Sequence, residues 1–377
     1  MKILTVTVSL DPRDGGKPAR AIQFSQALHA AGFGASILST SKGIDRHNPP
    51  FLDGVPITIL SLISQRFFVP IFRPGFLSSL VQQYDIVHLM GWWNILNYLV
   101  WLAARRASIP VVVCPAGELA MAGRSRWLKR VFQYLVGRQI IATAQGYIAI
   151  AENEIDQFIA NGVFRDNVKL LPNGIEPASL HPGNVEKFRL RFGLGTGPLI
   201  LFIGRLDPVK GPDLILEAFL LIADEFPHHS LLFAGPDNGA LTDLYHILKG
   251  HAASSRVYFV GYLNAEDKAT AYKTADLVVV PSRQEVMSMI VLEAGLLKKA
   301  VLMTDQCGLE RLAKANAVHL VPATIAGLRV GLEALLEDST KRGQLGARLH
   351  AETHSKYTWE RVMVDASAFF FQVGDKA

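Results

Sequence analysis

Short apolar runs, each cut off by a glycine, a proline or a charge, recur along the chain and alternate with stretches of helical spacing. "KILTVTVSL", "DIVHLM", "PVVVCP" and "GYIAIA" read as strands in the first half. After "KLLPNGIEP" the pattern restarts with "LILFIG", "SLLFAG", "VYFVG", "LVVVPS" and "AVLMT". These runs do not alternate apolar with polar, so both faces of each strand need cover. That is the signature of a parallel sheet with helices on both sides. Helical spacing fills the gaps: Arg20 to Ala31, stopping at Gly32; Asn94 to Arg106; stretches from Glu152 and from Pro212; and the amphipathic "YTWERVMVDASAFFFQ". The pattern predicts an α/β chain of two doubly wound, Rossmann-like domains facing across a cleft. The first spans 1–175 and the second 176–357, with the hinge near "PNGIEPASLHPGN" and a last helix, about 358–377, placed to pack back on the first domain.

Length agrees, since 377 residues exceed one ordinary core. Half the residues are hydrophobic, which excludes a disordered chain. The two cysteines, Cys114 and Cys307, lack metal-ligand spacing and fit a reducing compartment. The N-terminal apolar stretch is cut by Asp11 and Pro12 and reads as a strand rather than a signal peptide. "WWNILNYLVWLAARR" is apolar for about 13 residues, where a spanning helix needs about 20. The expectation is a cytoplasmic protein, and its net charge of +5 favours anionic partners.

In doubly wound sheets, ligands bind beyond the carboxyl ends of the strands. "ILFIGRLDPVKGPD" places Arg205 and Lys210 at such an end. Gly204 lets a ligand approach the backbone, and Pro212 suits the first turn of the next helix. Lys210 thus precedes a helix N-terminus, where partial positive charge collects. Two cations and a helix end suit a diphosphate. In "PSRQEVMSMIVLEAG", Glu285 and Glu293 stand eight positions apart. A helix would separate them by about 12 Å, too far for the roughly 5 Å carboxylate pair of a retaining glycosidase. The spacing suits the two ends of an elongated ligand with vicinal hydroxyls. Amides near Ser288, Met289 and Ile290 would face a phosphate between them.

Gly15 and Gly16 follow the first strand and let its loop approach a sugar or phosphate, with Lys17 or Arg20 adding charge. His88 and Trp92, at and just past a strand end, are acceptor-side candidates. "GLGTGP" precedes its strand, so it is not a dinucleotide fingerprint. Residues 123–139 carry Arg124, Arg126, Lys129, Arg130 and Arg138 among Trp127, Leu128, Val131, Phe132 and Leu135. A basic amphipathic helix of this kind either lies on an anionic membrane or packs on its own sheet with a solvated basic face.

Taken together, "GRLDPVKG", the two glutamates, "LPNGIE", "FVG" at 259–261, "DQCGLERL" and "GGKPAR" resemble the family 4 glycosyltransferases of the GT-B fold, over nearly the whole chain. The resemblance implies a retaining transfer of sugar from a nucleoside diphosphate sugar to an acceptor hydroxyl, in cell-surface polysaccharide or glycolipid synthesis of bacterial type. It implies that Arg205 and Lys210 neutralise the donor diphosphate. Glu285 would face the transferred sugar and Glu293 the ribose, with Tyr262 and Leu263 near the base. It also implies front-side attack, an acceptor that is a glycan or lipid-linked, and peripheral contact at the inner face of the membrane. No cofactor and no metal is expected. Where the family often has Gly-Phe-Gly after the first glutamate, this chain has Val286, Met287 and Ser288, and Ala116 stands where many members carry a histidine. The alternatives are a nucleotide-sugar epimerase on the same fold and a catalytically weak nucleotide-sugar-binding subunit. No nucleic-acid partner is expected, because the basic residues share no base-reading motif.

Overall fold

The structure is a computed structural model and describes residues 1–11, 14–44, 52–64, 68–119 and 126–375. The chain divides into two compact units, one of Met1–Gly174 with Trp359–Ala377 and one of Ile175–Thr358.

The first unit holds strands β1 (Lys2–Val6), β2 (Gly34–Thr40), β3 (Ile57–Ser64), β4 (Val69–Ile71), β5 (Ile86–Met90), β6 (Val111–Cys114), β7 (Gly146–Ala149) and β8 (Val168–Leu170). They form one sheet in the order β4-β3-β2-β1-β5-β6-β7-β8. Neighbours run parallel except at the edge, where β4 pairs antiparallel with β3. The apolar runs are buried along β5, β6 and β7, as strands covered on both faces must be. Asn94 caps the helix Ile95–Arg106 by accepting from the Asn97 amide at 2.8 Å, which fixes where the chain turns after β5.

The second unit holds β9 (Leu199–Ile203), β10 (Ser230–Ala234), β11 (Val257–Phe259), β12 (Leu277–Val280), β13 (Val301–Thr304) and β14 (His319–Val321). Their order is β11-β10-β9-β12-β13-β14, and every pair is parallel. Chain order therefore runs outward from β9 through β10 and β11, then returns to the other side of β9 at β12. This reversal is a topological switch point, where adjacent crossover loops diverge and leave a crevice. The first unit has the same feature between β1 and β5.

The helix Trp359–Asp375 belongs to the first unit. It buries Phe369, Phe370 and Val373, and Gly146 of β7 has no side chain because Phe369 and Val373 occupy that space. This packing explains one departure from the sequence reading. His88 was expected on the acceptor side, but its side chain is fully buried within β5. Its ring lies 5.3 Å from Phe24 and 6.0 Å from Phe370, and its Nδ1 stands 3.4 Å from the Thr5 hydroxyl. Position 88 points to the helix face of the sheet, so the imidazole is a core group.

Burial, and secondarily the Arg20 guanidinium, lowers the His88 pKa from 6.5 to about 3. The folded chain thus holds this histidine neutral, whereas the unfolded chain protonates it below about pH 6.5. Its contribution to stability is complete above that pH and is lost as pH falls toward 3. One group of this kind gives a slope of up to about 1.4 kcal/mol per pH unit. His88→Gln is expected to flatten the pH dependence of urea-unfolding stability between pH 6.5 and 4. An unchanged slope in the variant would show that other groups govern acid unfolding.

Candidate active site

At the end of β9 the chain passes through Gly204 to Arg205, which is exposed. Asp207 then starts a short turn over Pro208–Lys210, its Oδ1 accepting from the Val209 amide at 2.8 Å while the Lys210 amide donates to the Asp207 carbonyl at 2.8 Å. Gly211 follows with φ +66°, and a Cβ there would run into the carbonyl oxygen of Pro281. Only glycine meets both demands, and its presence lets the β9 turn lie against the loop that follows β12. Pro212 then opens the helix Pro212–Ile222.

The β12 loop is fastened on both sides. Toward the β9 turn, the Arg283 amide donates to the Val209 carbonyl at 2.8 Å and Nη1 donates to the Pro208 carbonyl at 2.7 Å. The same guanidinium makes paired bonds of 2.8 and 2.5 Å to Asp213. Burial alone would raise the Asp213 pKa, but the hydrogen bonds and charge of Arg283 outweigh it and hold the carboxyl below its usual value. Toward β13, the Glu285 amide donates to the Gln306 carbonyl at 2.8 Å, and the Thr304 hydroxyl donates to the Ser282 carbonyl at 2.5 Å.

Held this way, Glu285 meets Lys210. Lys210 Nζ lies 3.0 Å from Glu285 Oε1, with side-chain exposures of 23% and 9%. The Ser282 hydroxyl donates to the same oxygen at 2.5 Å. Gly204 lies beside the next helix, since a Cβ there would sit 3.5 Å from Ile290 Cδ1. That helix is Met289–Leu296. Met289 and Ile290 occupy its first turn, where an α-helix supplies no partner for their amides and presents partial positive charge. Ser288 differs from its expected role as an amide donor. Its N–H donates to the Cys307 carbonyl at 3.1 Å, and its hydroxyl is buried without a hydrogen-bond partner among the described residues.

Glu293 lies one turn further along this helix and faces a different element. Lys268 Nζ approaches its Oε1 at 2.7 Å, and the Tyr272 hydroxyl donates to its Oε2 at 2.6 Å. Lys268 and Tyr272 belong to the helix Ala265–Thr274, capped by Asn264 directly after Tyr262 and Leu263. Tyr262 is 77% exposed. Leu263 is instead buried in the core of the unit, so only its backbone is available where a base contact was expected.

In the first unit, Gly15 adopts φ +97° ahead of the helix Gly16–Ala30. A cavity of about 180 Å³ opens at the β1–β5 switch point, with Thr7, Ser9, Lys17, Lys42, Trp93 and Glu118 on its walls. Lys17 pairs with Glu118, and Lys42 pairs with Asp14 at 2.9 Å. Two sequence expectations change here. Trp92 is buried, its Nε1 donating to Gln133 Oε1 at 2.9 Å, so the neighbouring Trp93 meets the cavity instead. Arg20 is also buried and braces the core through Asn173 Oδ1 at 2.7 Å and the Leu171 carbonyl at 2.9 Å, rather than adding surface charge. Ala116 is buried with φ +51°.

The sequence placed Ser282 to Glu285 at a strand end but gave Ser282 and Arg283 no role, and it did not single out Lys268 or Tyr272. Arg283 and Ser282 lie inside the quoted motif yet were overshadowed by the glutamates. Lys268 and Tyr272 stand one helical turn apart and therefore share a face, which was the available signal.

Comparison with known proteins assigns both units. Residues 15–174 match the family described as glycosyl transferase 4-like domain, and residues 185–350 match glycosyl transferases group 1. The chain belongs to the glycosyltransferases of the GT-B fold. Among its relatives, the D-inositol 3-phosphate glycosyltransferase of Nocardia farcinica is 28% identical over 290 residues, covering 73% of this chain and 64% of that protein. The Geodermatophilus obscurus protein of the same name is 24% identical, covering 96% of this chain and 87% of its own. Among solved structures, Anabaena HepE in complex with UDP superposes with a TM-score of 0.80 at 18% identity, over 99% of this chain and all of the other. Sucrose-phosphate synthase from Thermosynechococcus elongatus gives 0.76 at 20%, over 100% of both chains.

This glycosyltransferase offers a lysine, an exposed arginine and helix-end amides for an anion, and two anchored carboxylates for hydroxyl groups. The Cys307 thiol beside them is buried, and burial with the nearby Glu285 charge pushes it up to about 12. The two loops depend on contact at Gly211. Gly211→Ala is expected to destabilise the glycosyltransferase by about 1–3 kcal/mol through strained backbone, and to separate Lys210 from Glu285. Urea unfolding measures the first effect. Wild-type stability would show that the loops yield without cost.

Proposed function

We propose that the chain is a family 4, retaining glycosyltransferase that moves a sugar from a nucleoside diphosphate sugar to an acceptor hydroxyl. The observation that carries this reading is the meeting of Lys210 with Glu285 at the β9–β12 switch point, beside Arg205 and the first turn of Met289–Leu296. A diphosphate placed there gains two cations and the Met289 and Ile290 amides. Glu285, oriented by Ser282, is left to accept hydroxyls of the transferred sugar. Glu293 takes the ribose, and Tyr262 with the Leu263 backbone lies toward the base.

In the reaction, the bond from the anomeric carbon to the donor phosphate oxygen breaks, and a bond to the acceptor oxygen forms on the same face. The acceptor proton passes to an oxygen of the leaving phosphate. Negative charge grows on that phosphate as the bond stretches, so Arg205, Lys210 and the helix amides stabilise the transition state more than the ground state. The reading gives this neutralisation to the protein's own cations and assigns no metal or cofactor. The relatives named for a phosphorylated polyol support a polyhydroxylated acceptor. The Thr7 and Ser9 hydroxyls and the Lys17–Glu118 pair in the first unit's cavity suit one, whether free glycan or lipid-linked.

Removing one charged partner of a desolvated contact costs roughly 2–5 kcal/mol. Arg205→Ala or Lys210→Ala is therefore expected to lower turnover about 30-fold or more, at 1.4 kcal/mol per decade, with the melting temperature little changed. The assay follows a thermal-shift panel of UDP-, GDP- and ADP-sugars, in which the true donor raises the melting temperature. Near-normal turnover in either variant would remove the diphosphate from this site.

We also propose that the enzyme works in the cytoplasm at the inner face of an anionic membrane, in polysaccharide or glycolipid synthesis. Trp127, Tyr134 and Leu135 are 67%, 67% and 56% exposed, in a helical stretch shared with Lys129, Arg130 and Arg138. Arg124 and the Arg126 side chain lie outside the described residues. No helix among the described residues is long and apolar enough to cross a membrane. Each basic residue at an anionic surface contributes about 1 kcal/mol. Lys129→Glu with Arg130→Glu is expected to abolish co-sedimentation with phosphatidylglycerol vesicles. Equal binding of the wild type to neutral phosphatidylcholine vesicles would overturn the electrostatic part of this proposal.

A further inference from the structure

Glu293 is more tightly held than an isolated ribose ligand needs to be. Its Oε1 takes Lys268 at 2.7 Å and its Oε2 takes the Tyr272 hydroxyl at 2.6 Å. A carboxylate offers about four lone-pair sites, so one on each oxygen remains for hydroxyl donors. With one donor fixed at each oxygen, the carboxylate cannot turn about its Cγ–Cδ bond without breaking a charge-assisted bond. The remaining lone pairs are therefore aimed in fixed directions.

The two partners differ in kind. Tyr272 is among the largest fully buried side chains of the chain, at 0% exposure. Its ring fills the core between its helix and β9, and only the hydroxyl reaches Glu293. Burial, and then the Glu293 charge, holds its phenol well above the ordinary value, so it stays a donor at any working pH. Lys268 is 34% exposed and supplies the countercharge from the rim. The Glu293 side chain is 17% exposed, so the carboxylate that these two donors fix still reaches the surface.

We infer that Tyr272 and Lys268 are positioning residues that aim Glu293 at two vicinal ribose hydroxyls and so make the site selective for ribonucleotide over deoxyribonucleotide donors. This inference rests on the ribose assignment of Glu293 made above. It adds a specificity determinant on a second helix, one that touches neither nucleotide nor sugar.

The test is calorimetry with UDP against 2′-deoxy-UDP, with the GDP and ADP pairs run in the same way. Wild type is expected to prefer the ribonucleotide of its own base by tenfold or more. Tyr272→Phe keeps the ring and removes only the hydroxyl. It is expected to weaken the ribonucleotide about fivefold to tenfold and to leave the 2′-deoxynucleotide within twofold, so the preference collapses. With the full donor, KM should rise by the same factor while kcat stays within twofold, because the contact is the same before and during bond cleavage. Lys268→Gln, at the surface, should reduce the preference in the same direction and guards against a folding defect in the buried variant. Equal weakening of both nucleotides in Tyr272→Phe, or a preserved preference in both variants, would overturn the positioning role. Glu293→Gln separates this from the underlying assignment. If that variant keeps the ribose preference, the ribose is not at Glu293 and the inference falls with it. If Glu293→Gln loses the preference while the Tyr272 and Lys268 variants keep it, only the inference fails.

Discussion

Lys210 can stand 3.0 Å from Glu285 because β12 returns to the opposite side of β9 from β10. Parallel strands need crossovers of one hand, so successive helices on the two sides of β9 must cover opposite faces of the sheet. The loops leaving β9 and β12 then diverge above their shared edge instead of packing over it. Everything else in the candidate site follows from that gap. The β9 loop carries the cations, the β12 loop carries the first carboxylate, and the helix after β12 starts with its amides beside Gly204. Arg283 keeps the two loops in register by bonding the Pro208 and Val209 carbonyls and the Asp213 carboxylate at once. A partly exposed ion pair adds little stability by itself. Its value here lies in the number of fixed backbone contacts it joins.

The two glutamates show how one fold sets different tasks for the same side chain. Glu285 lies in a loop and is oriented by a hydroxyl from the same loop and an ammonium from a neighbouring strand end. An anion bound near Lys210 would shift the balance of that pair, so in the proposed reading Glu285 responds to the donor phosphate. Glu293 lies on a helix and is fixed by a second helix through Tyr272 and Lys268. Its geometry is independent of the phosphate position. Under the proposed assignment, a site divided in this way binds the constant part of a donor rigidly while the reacting end keeps the freedom to rearrange.

Much of this was legible before any coordinates. Unalternating apolar runs, one stopped by Gly204 and the other by Pro281, marked β9 and β12, and their ends held the cations and the carboxylate. β2, β3, β4, β8 and β14 were not recognised. β2 reads "GASILST", and its serines and threonine look like a turn until burial shows them inside the sheet. β8 and β14 are three residues each, too short for a period to appear. The antiparallel β4 breaks an otherwise parallel sheet at its edge, where an unpaired strand must be blunted in some way. His88 and Trp92 misled for one shared reason. A polar or amphipathic residue near a strand end gives no hint of whether it faces the crevice or a helix. That is settled by packing from Phe370, almost three hundred positions later, and from Gln133. Tyr272 and Lys268 were hidden in the opposite sense, because their target lies on another helix and no local pattern points across.

The stretch Val286, Met287, Ser288 departs from the habit of the family that the sequence resembles, and the structure shows how this turn is held. Met287 is buried in the core cluster of the second unit, so it packs beneath the loop and does not enter the space above it. The Ser288 amide is held by the Cys307 carbonyl. The turn is thus secured from the β13 side, and the helix still begins at Met289. A glycine-rich turn would reach the same place through backbone freedom. This chain reaches it through fixed contacts, which trade that freedom for a set position of the Met289 and Ile290 amides. The departure therefore alters how the turn is held while leaving the start of the helix at Met289 in place.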